Sequence, residues 1–253
     1  MRSSILCFLF SVFYVGSAWP CGPVPEKVSN IIKQNNELIL VGEMHGTLES
    51  PHYFYEIVCN AINLSEKQVV AAIELFDGDV TLDGDNKHLA RAVNRSDVWQ
   101  KNHDGKTSEA MFELLERFNL LVKDGKLKVI FFDKDDEARD LSMAMTLKEH
   151  FSGDSLVIAL TGNRHNKVKH GNSWDPNSKN MGAYLKEMDV NLSSINLLTN
   201  GGNAWVCMPN CANHELSTRN LEGYEDVFDA SDKSGYQYHW LVGTVHASEP
   251  KVR

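Results

Sequence analysis

Short, almost uniformly apolar runs alternate along the chain with longer stretches in which apolar positions recur every three or four residues. The runs at 37–42, 69–74, 127–132 and 156–161 read as strands buried on both faces, because a strand with one wet face would alternate instead. The longer stretches read as helices. Phe54, Ile57, Val58, Ala61 and Ile62 follow the i, i+3, i+4, i+7, i+8 spacing of one packed face, and Ser50-Pro51 ahead of them offers an N-cap and a proline at the first helical position. Met111, Leu114, Leu115, Phe118 and Val122 mark a second helix from about Ser108. Further helices are predicted at 137–150 and 181–188, and later strands near 195–198 and 238–242.

Apolar strands separated by amphipathic helices imply an α/β fold with a mostly parallel central sheet and helices on both faces. No long Pro/Ser linker, fixed-period repeat or low-complexity tract divides the chain, so residues 22–253 are expected to form a single domain. Residues 75–107 read only as a polar, glycine-rich stretch, and 200–203 as a loop.

Composition narrows the partners. With 34 acidic against 25 basic residues the formal charge is −9, which opposes attraction to phosphate backbones, so no nucleic-acid partner is expected. Arg2, the apolar run 5–15 and Gly16-Ser17-Ala18 have the pattern of a secretory signal over residues 1–18, too short an apolar run to span a bilayer. The mature chain is therefore expected to be periplasmic or secreted, without stable membrane insertion. A lipid anchor on Cys21 is disfavoured by Ala18-Trp19-Pro20 before it. Cleavage would remove Cys7 and leave four cysteines. Cys207–Cys211 is expected as a local disulfide, since no second close pair exists to complete a zinc site, and Cys21–Cys59 follows by exclusion.

In open parallel sheets ligands bind beyond the carboxyl ends of the strands. Four predicted strands end in reactive residues: Glu43 and His45 in Gly42-Glu43-Met44-His45, then Glu74, then Asp133, then Asn163 and His165 in Gly162-Asn163-Arg164-His165. Two imidazoles and several carboxylates at one sheet edge can relay protons, orient water or hold a divalent metal. Glu74, ending an apolar run, is expected to be partly buried and to need a partner. Asp133 opens the charged run Asp133-Lys134-Asp135-Asp136-Glu137 and reads as a cap for the next helix, outside the core set. Trp174, in a turn-rich segment, is a candidate for a pocket mouth.

The order of these motifs resembles the superfamily of erythromycin esterases, ChaN-like haem-binding lipoproteins and TIKI/TraB-type metalloproteases. Ala138-Arg139-Asp140-Leu141-Ser142-Met143-Ala144, Leu160-Thr161-Gly162-Asn163-Arg164-His165 and Met181-Gly182-Ala183-Tyr184-Leu185 extend the likeness, which covers about residues 37–190. The resemblance implies Glu43, His45, Glu74 and His165 as the catalytic set, with His45, Glu74 and His165 as ligands if a divalent metal is bound. It puts Arg139 beside them, to bind a substrate carboxylate or to hold Glu43 or Glu74 ionised, and Asn163 in substrate binding. Gly243-Thr244-Val245-His246 repeats the spacing but is not required by that pattern.

Two functions follow from the resemblance. One is an exported hydrolase in which His45 or Glu43 activates water against an ester or amide of a small-molecule or peptide substrate. The other is a haem- or ligand-binding protein without hydrolysis, for which Tyr53 or Tyr55 would offer an axial oxygen.

Overall fold

The structure is a computed structural model that describes residues 21–252 apart from 35, 77, 79, 173, 174, 208 and 232; the expected signal segment and Trp174 lie outside the described residues. The chain runs α1 (Glu26–Lys33), β1 (Leu38–Glu43), α2 (Glu49–Leu64), β2 (Gln68–Phe76), α3 (Asn86–Val93) and α4 (Asp97–Lys101) to a 3₁₀ turn at Gly105–Thr107. It continues through α5 (Glu109–Lys123), β3 (Lys128–Asp133), α6 (Arg139–Lys148), β4 (Ser155–Gly162) and α7 (Met181–Glu187). The last part is all strand: β5 (Leu192–Cys207), β6 (Cys211–Glu215), β7 (Val227–Asp229) and β8 (Tyr238–Val245).

The sheet order is β3-β2-β4-β1-β5-β8-β7. Every pair from β3 to β8 is parallel, β7 closes the edge antiparallel, and β6 folds back antiparallel on the far end of β5. This is the α/β architecture that the apolar runs predict, and β1 shows why. Ile39 and Val41 face a layer containing Phe54, Ile57 and Val58 of α2 and Leu114, Leu115 and Phe118 of α5. Leu38 and Leu40, pointing the other way, meet Met143, Ala144 and Leu147 of α6 and Met181 and Leu185 of α7. All of β1 is buried, so its sequence has no position at which a polar residue could alternate.

Local chemistry sets the helix starts. Ser108 caps α5, its hydroxyl accepting from the Met111 N–H at 3.4 Å. The start of α2 differs from the expected Ser50 cap: the helix begins at Glu49, and the buried Ser50 hydroxyl instead accepts from Thr47 Oγ1 at 2.7 Å. The stretch 75–107 holds α3 and α4, short helices whose caps Asp85 and Ser96 accept from Lys87 and Trp99.

The expected loop at 200–203 is part of β5. Gly201 and Gly202 have φ of +80° and +89° inside the strand, and the β5–β8 register shifts there, as in a bulge. A Cβ on Gly202 would fall 1.9 Å from the Val245 carbonyl oxygen, so the glycines serve close backbone approach and not a turn.

Both expected disulfides are present, Cys21–Cys59 tying the N-terminal segment to α2 and Cys207–Cys211 joining β5 to β6. They suit an oxidising, exported environment. Among the described residues no helix is long and apolar enough to cross a membrane.

Gly46 follows β1 with φ +74°, and a Cβ there would sit 2.0 Å from the Trp205 carbonyl oxygen of β5. Gly125 has φ +68° with nothing within 4 Å. Gly46→Ala should therefore lose more stability in urea titration than Gly125→Ala, which carries only the left-handed strain of about 1 kcal/mol. Equal losses would show that the β1–β5 approach is not tight.

Candidate functional site

The strand order brings the reactive ends together. β4 lies between β2 and β1, Ile73 of β2 is in register with Leu160, and Glu43 of β1 is in register with Gly162, so Glu74, Gly162 and Glu43 form one row across the carboxyl edge. Gly162 has to be glycine: a Cβ there would lie 2.8 Å from His45 Nε2. Gly42 is equally confined, with a Cβ 2.5 Å from Asn166 Nδ2.

Glu74 is the hub. Its Oε2 accepts from the Gly162 N–H at 2.6 Å and from Thr161 Oγ1 at 2.7 Å, and its Oε1 accepts from Arg139 Nη2 at 2.7 Å. Arg139, at the start of α6, also donates to Asp133 and approaches His165 Nε2 to 3.1 Å. Lys106 lies 2.7 Å from Asp133 Oδ2 and 3.8 Å from Glu74 Oε1. His165 is 2.7 Å through Nδ1 from Asp140 Oδ1, which also accepts from the Met181 N–H. The network thus assigns the His165 proton to Nδ1, leaving Nε2 to accept from the guanidinium.

His45 sits between two carboxylates, with Nδ1 2.8 Å from Glu43 Oε1 and Nε2 3.6 Å from Glu74 Oε2. Its side chain is 25% exposed against 7% for His165, so it is the imidazole of the pair that reaches solvent. Burial opposes a charge on His45, but the charge of Glu74 and the hydrogen bond to Glu43 outweigh it and push the imidazole up to about 10. Burial would also raise Glu74, yet the charge and hydrogen bond of His45, with Lys106, hold it well below the usual carboxylate range. For Glu43, burial wins over the pull of His45 and its carboxyl is raised; its Oε2 is buried with no hydrogen-bond partner among the described residues.

The expected metal set does not fit this geometry. Both oxygens of Glu74 and both ring nitrogens of His165 are engaged, and the Arg139 guanidinium lies on the face of His165 that a metal would need. Among the described residues no group of three or more His, Cys, Asp or Glu is arranged to hold a metal ion. The rings of the two tyrosines expected as haem ligands are engaged in packing. Tyr53 packs on Trp240 with ring centroids 4.9 Å apart, and Tyr55, 2% exposed, packs against Phe118 with the Arg117 guanidinium over its ring.

Asp133 is the main correction within the site. It is not a helix cap in solvent but a buried anion that binds both Arg139 and Lys106. Its place at a strand end, the argument applied to Glu74, was the available signal. Asp140 lay in sight within the Arg139-Asp140 pair. Lys106 carries no local signal, because it arrives only through the contact of Gly105 with Gly46, where a Cβ on Gly105 would fall 2.2 Å from the Gly46 nitrogen. Asn163 contributes its backbone: its N–H donates to the Glu43 carbonyl at 2.8 Å, and its carbonyl accepts from the Tyr236 hydroxyl at 2.9 Å. His246 pairs with Glu49 at 2.8 Å and stays outside the cluster.

Beside the cluster a cleft of about 600 Å³ opens past Met44 and Asn163 toward β5 and β8. This is the volume of a small-molecule site. Another cavity, about 560 Å³, lies on the helical layer near Tyr55, Arg117 and the Cys21–Cys59 disulfide, and contains none of the clustered residues.

No family model and no curated protein matches the sequence. Solved structures do. A succinoglycan biosynthesis protein aligns with a TM-score of 0.60 at 12% identity, covering 89% of this chain and 92% of its own. A Bacillus cereus protein aligns with a TM-score of 0.59 at 11% identity over the same shares. ChaN of Campylobacter jejuni, described with cofacial haem binding, aligns with a TM-score of 0.52 at 12% identity, covering 85% of this chain and 90% of its own. The class defined here is therefore an α/β fold shared with ChaN, with a buried carboxylate–histidine–arginine cluster at its carboxyl edge. At these identities the likeness is one of fold alone.

Two outcomes are expected. The value of His45 in the fold lies above its ordinary 6.5, so its stabilisation is complete below that and is lost as pH rises toward about 10. Urea titrations should show the native chain losing stability over that window and His45→Gln losing less; parallel curves would refute the imidazolium. Asp133→Asn should cost about 3–5 kcal/mol, because it removes a fully buried anion that binds two half-buried cations and leaves Glu74 alone to serve both. A loss under about 1 kcal/mol would mean that water takes over the role of Asp133.

Proposed function

We propose that the chain is a hydrolase of the acid–base type acting on an ester or amide held in the cleft. The observation that carries this reading is the Glu43–His45–Glu74 alignment, in which the solvent-reaching imidazole is kept charged by two carboxylates. A charged His45 is a proton donor, so the expectation that it activates water as a base is replaced. Glu43 is the stronger candidate for base: burial raises its carboxyl and its Oε2 is an unpartnered acceptor. The attacking water gives its proton to Glu43 Oε2, His45 gives the Nε2 proton to the leaving oxygen or nitrogen, and the pair resets as Glu43 releases a proton to water and His45 Nε2 takes one from water, with Nδ1–H staying on Glu43 Oε1 throughout. Ligand entry must admit one water to Glu43. Arg139 and Lys106 hold Glu74 ionised, and Glu74 holds the proton on His45.

A second reading, a binding protein without turnover, is favoured by the mutual satisfaction of Glu74, Arg139, Asp133, Asp140 and His165, which leaves that half of the cluster inert. The haem described for the ChaN neighbour is its natural probe. A Soret shift on haem titration, with no hydrolysis of any ester, would favour this reading.

Hydrolysis of a panel of nitrophenyl esters tests the first. His45→Gln and Glu43→Gln should each lose about 10²–10⁴-fold. The native rate should hold through neutral pH and fall above about 10, where the imidazolium is lost. A rate that climbs through that value would make His45 the base after all, and full activity in His45→Gln would sink the mechanism.

A further inference from the structure

The cleft differs in charge from the molecule that carries it. The chain has a formal charge of −9, yet the cleft is lined by Lys167, Arg219 and Lys233 against the single acid Asp229. Asp229 is already paired, 2.8 Å from Lys27, whereas none of the three cations makes a salt bridge to a described residue. A cleft whose cations outnumber its acids attracts anions.

Its wall has a second character. Tyr224 and Phe228 have ring centroids 4.6 Å apart, Phe228 and His239 5.4 Å, and His239 and Tyr236 5.4 Å, so four rings form one continuous ladder. Lys167 reaches over the Tyr236 ring at 6.0 Å. Flat ligands stack on such a ladder at separations of about 4.5–7 Å between centroids. The floor is polar and unfinished. Asn196 is 4% exposed, its Nδ2 donates to His239 Nδ1 at 3.1 Å, and its buried Oδ1 has no partner among the described residues. With Nδ1 accepting, the His239 proton is assigned to Nε2, a neutral donor. Burial and the charge of Arg219 both lower its basicity, consistent with that form.

We propose that this cleft binds an aromatic anion, its ring against Tyr224, Phe228, His239 and Tyr236 and its acidic group toward Arg219 and Lys167. The proposal rests on the hydrolase reading in naming the substrate class, an aromatic ester or amide bearing an acidic group, whose scissile bond would extend past Met44 and Asn163 to His45. The anion site itself can be measured without turnover.

The test is calorimetric titration of the full chain with 1-naphthoate, its neutral counterpart 1-naphthamide, and cyclohexanecarboxylate, which has the charge without the ring. Naphthoate should bind, with naphthamide and cyclohexanecarboxylate each about tenfold weaker, the loss of one charge-assisted or one stacking contact. The double variant Lys167→Ala/Arg219→Ala should abolish the gap between naphthoate and naphthamide while leaving naphthamide unchanged, so the amide reports the integrity of the cleft. Equal affinity for acid and amide in the native chain, or a gap that survives in the double variant, overturns the proposal. His45→Gln should bind naphthoate like the native chain. A chain that binds naphthoate yet hydrolyses no ester discards the hydrolase reading and keeps the anion cleft; ester turnover without naphthoate binding does the reverse.

Discussion

Everything at the carboxyl edge of this sheet depends on one buried carboxylate. Glu74 cannot be ionised at 4% exposure without compensation, because desolvating a carboxylate costs several kcal/mol even after relaxation. The compensation comes from four directions: the Gly162 N–H, the Thr161 hydroxyl, the Arg139 guanidinium and, at longer range, His45. They come from three separate pieces of chain. β4 must be paired beside β2 to present Gly162 and Thr161, α6 must start where it does to aim Arg139, and β1 must end beside β4 to deliver His45. The hydrogen bonds of Glu74 therefore fix the relative positions of three strands and a helix, and the row of functional groups follows from them.

Arg139 and Lys106 in turn need an anion of their own, since one carboxylate cannot serve both. Asp133 supplies it, buried and bonded to both cations. The result is a layered arrangement in which Asp133 holds the cations, the cations hold Glu74, and Glu74 with Glu43 holds the proton of His45. With His45 neutral, the three buried carboxylates Glu43, Glu74 and Asp133 would have only Lys106 and Arg139 as cationic partners among the described residues. That imbalance is the physical reason the imidazole keeps its proton far above neutrality.

What the sequence made legible follows the range of the interactions. The strands β1 to β4 and the helices α2, α5, α6 and α7 announce themselves through local periodicity, because burial on one face or two leaves its mark within a few residues. Glu43, His45, Glu74 and His165 were visible as strand-end residues, and the fold does bring them together. Asp133 was misread because the charged run after it looks like a solvated helix start, whereas its partners, Arg139 and Lys106, are known only once β3 lies beside β2. Lys106 and the cleft cations Lys167, Arg219 and Lys233 carry no periodic signal at all. The glycines 201 and 202 were misread for the same reason: a glycine pair signals a loop locally, and only the nearby Val245 backbone reveals that it permits a bulge.

The separation of the charged cluster from the cleft gives the final constraint on mechanism. The cluster is internally paired except at Glu43 Oε2, while the cleft has cations without salt bridges to described residues and a run of contacting rings but no imidazole held in its charged form. The two meet only along Met44 and Asn163, residues that flank His45 and Gly162 in the chain. In the proposed reading, binding and chemistry fall to different side chains, and a ligand in the cleft would reach the proton of His45 at one end. Asn163 is held by its N–H to the backbone carbonyl of Glu43 and by its carbonyl to the Tyr236 hydroxyl, so the wall of the cleft and the strand end that carries Glu43 are joined through a single residue.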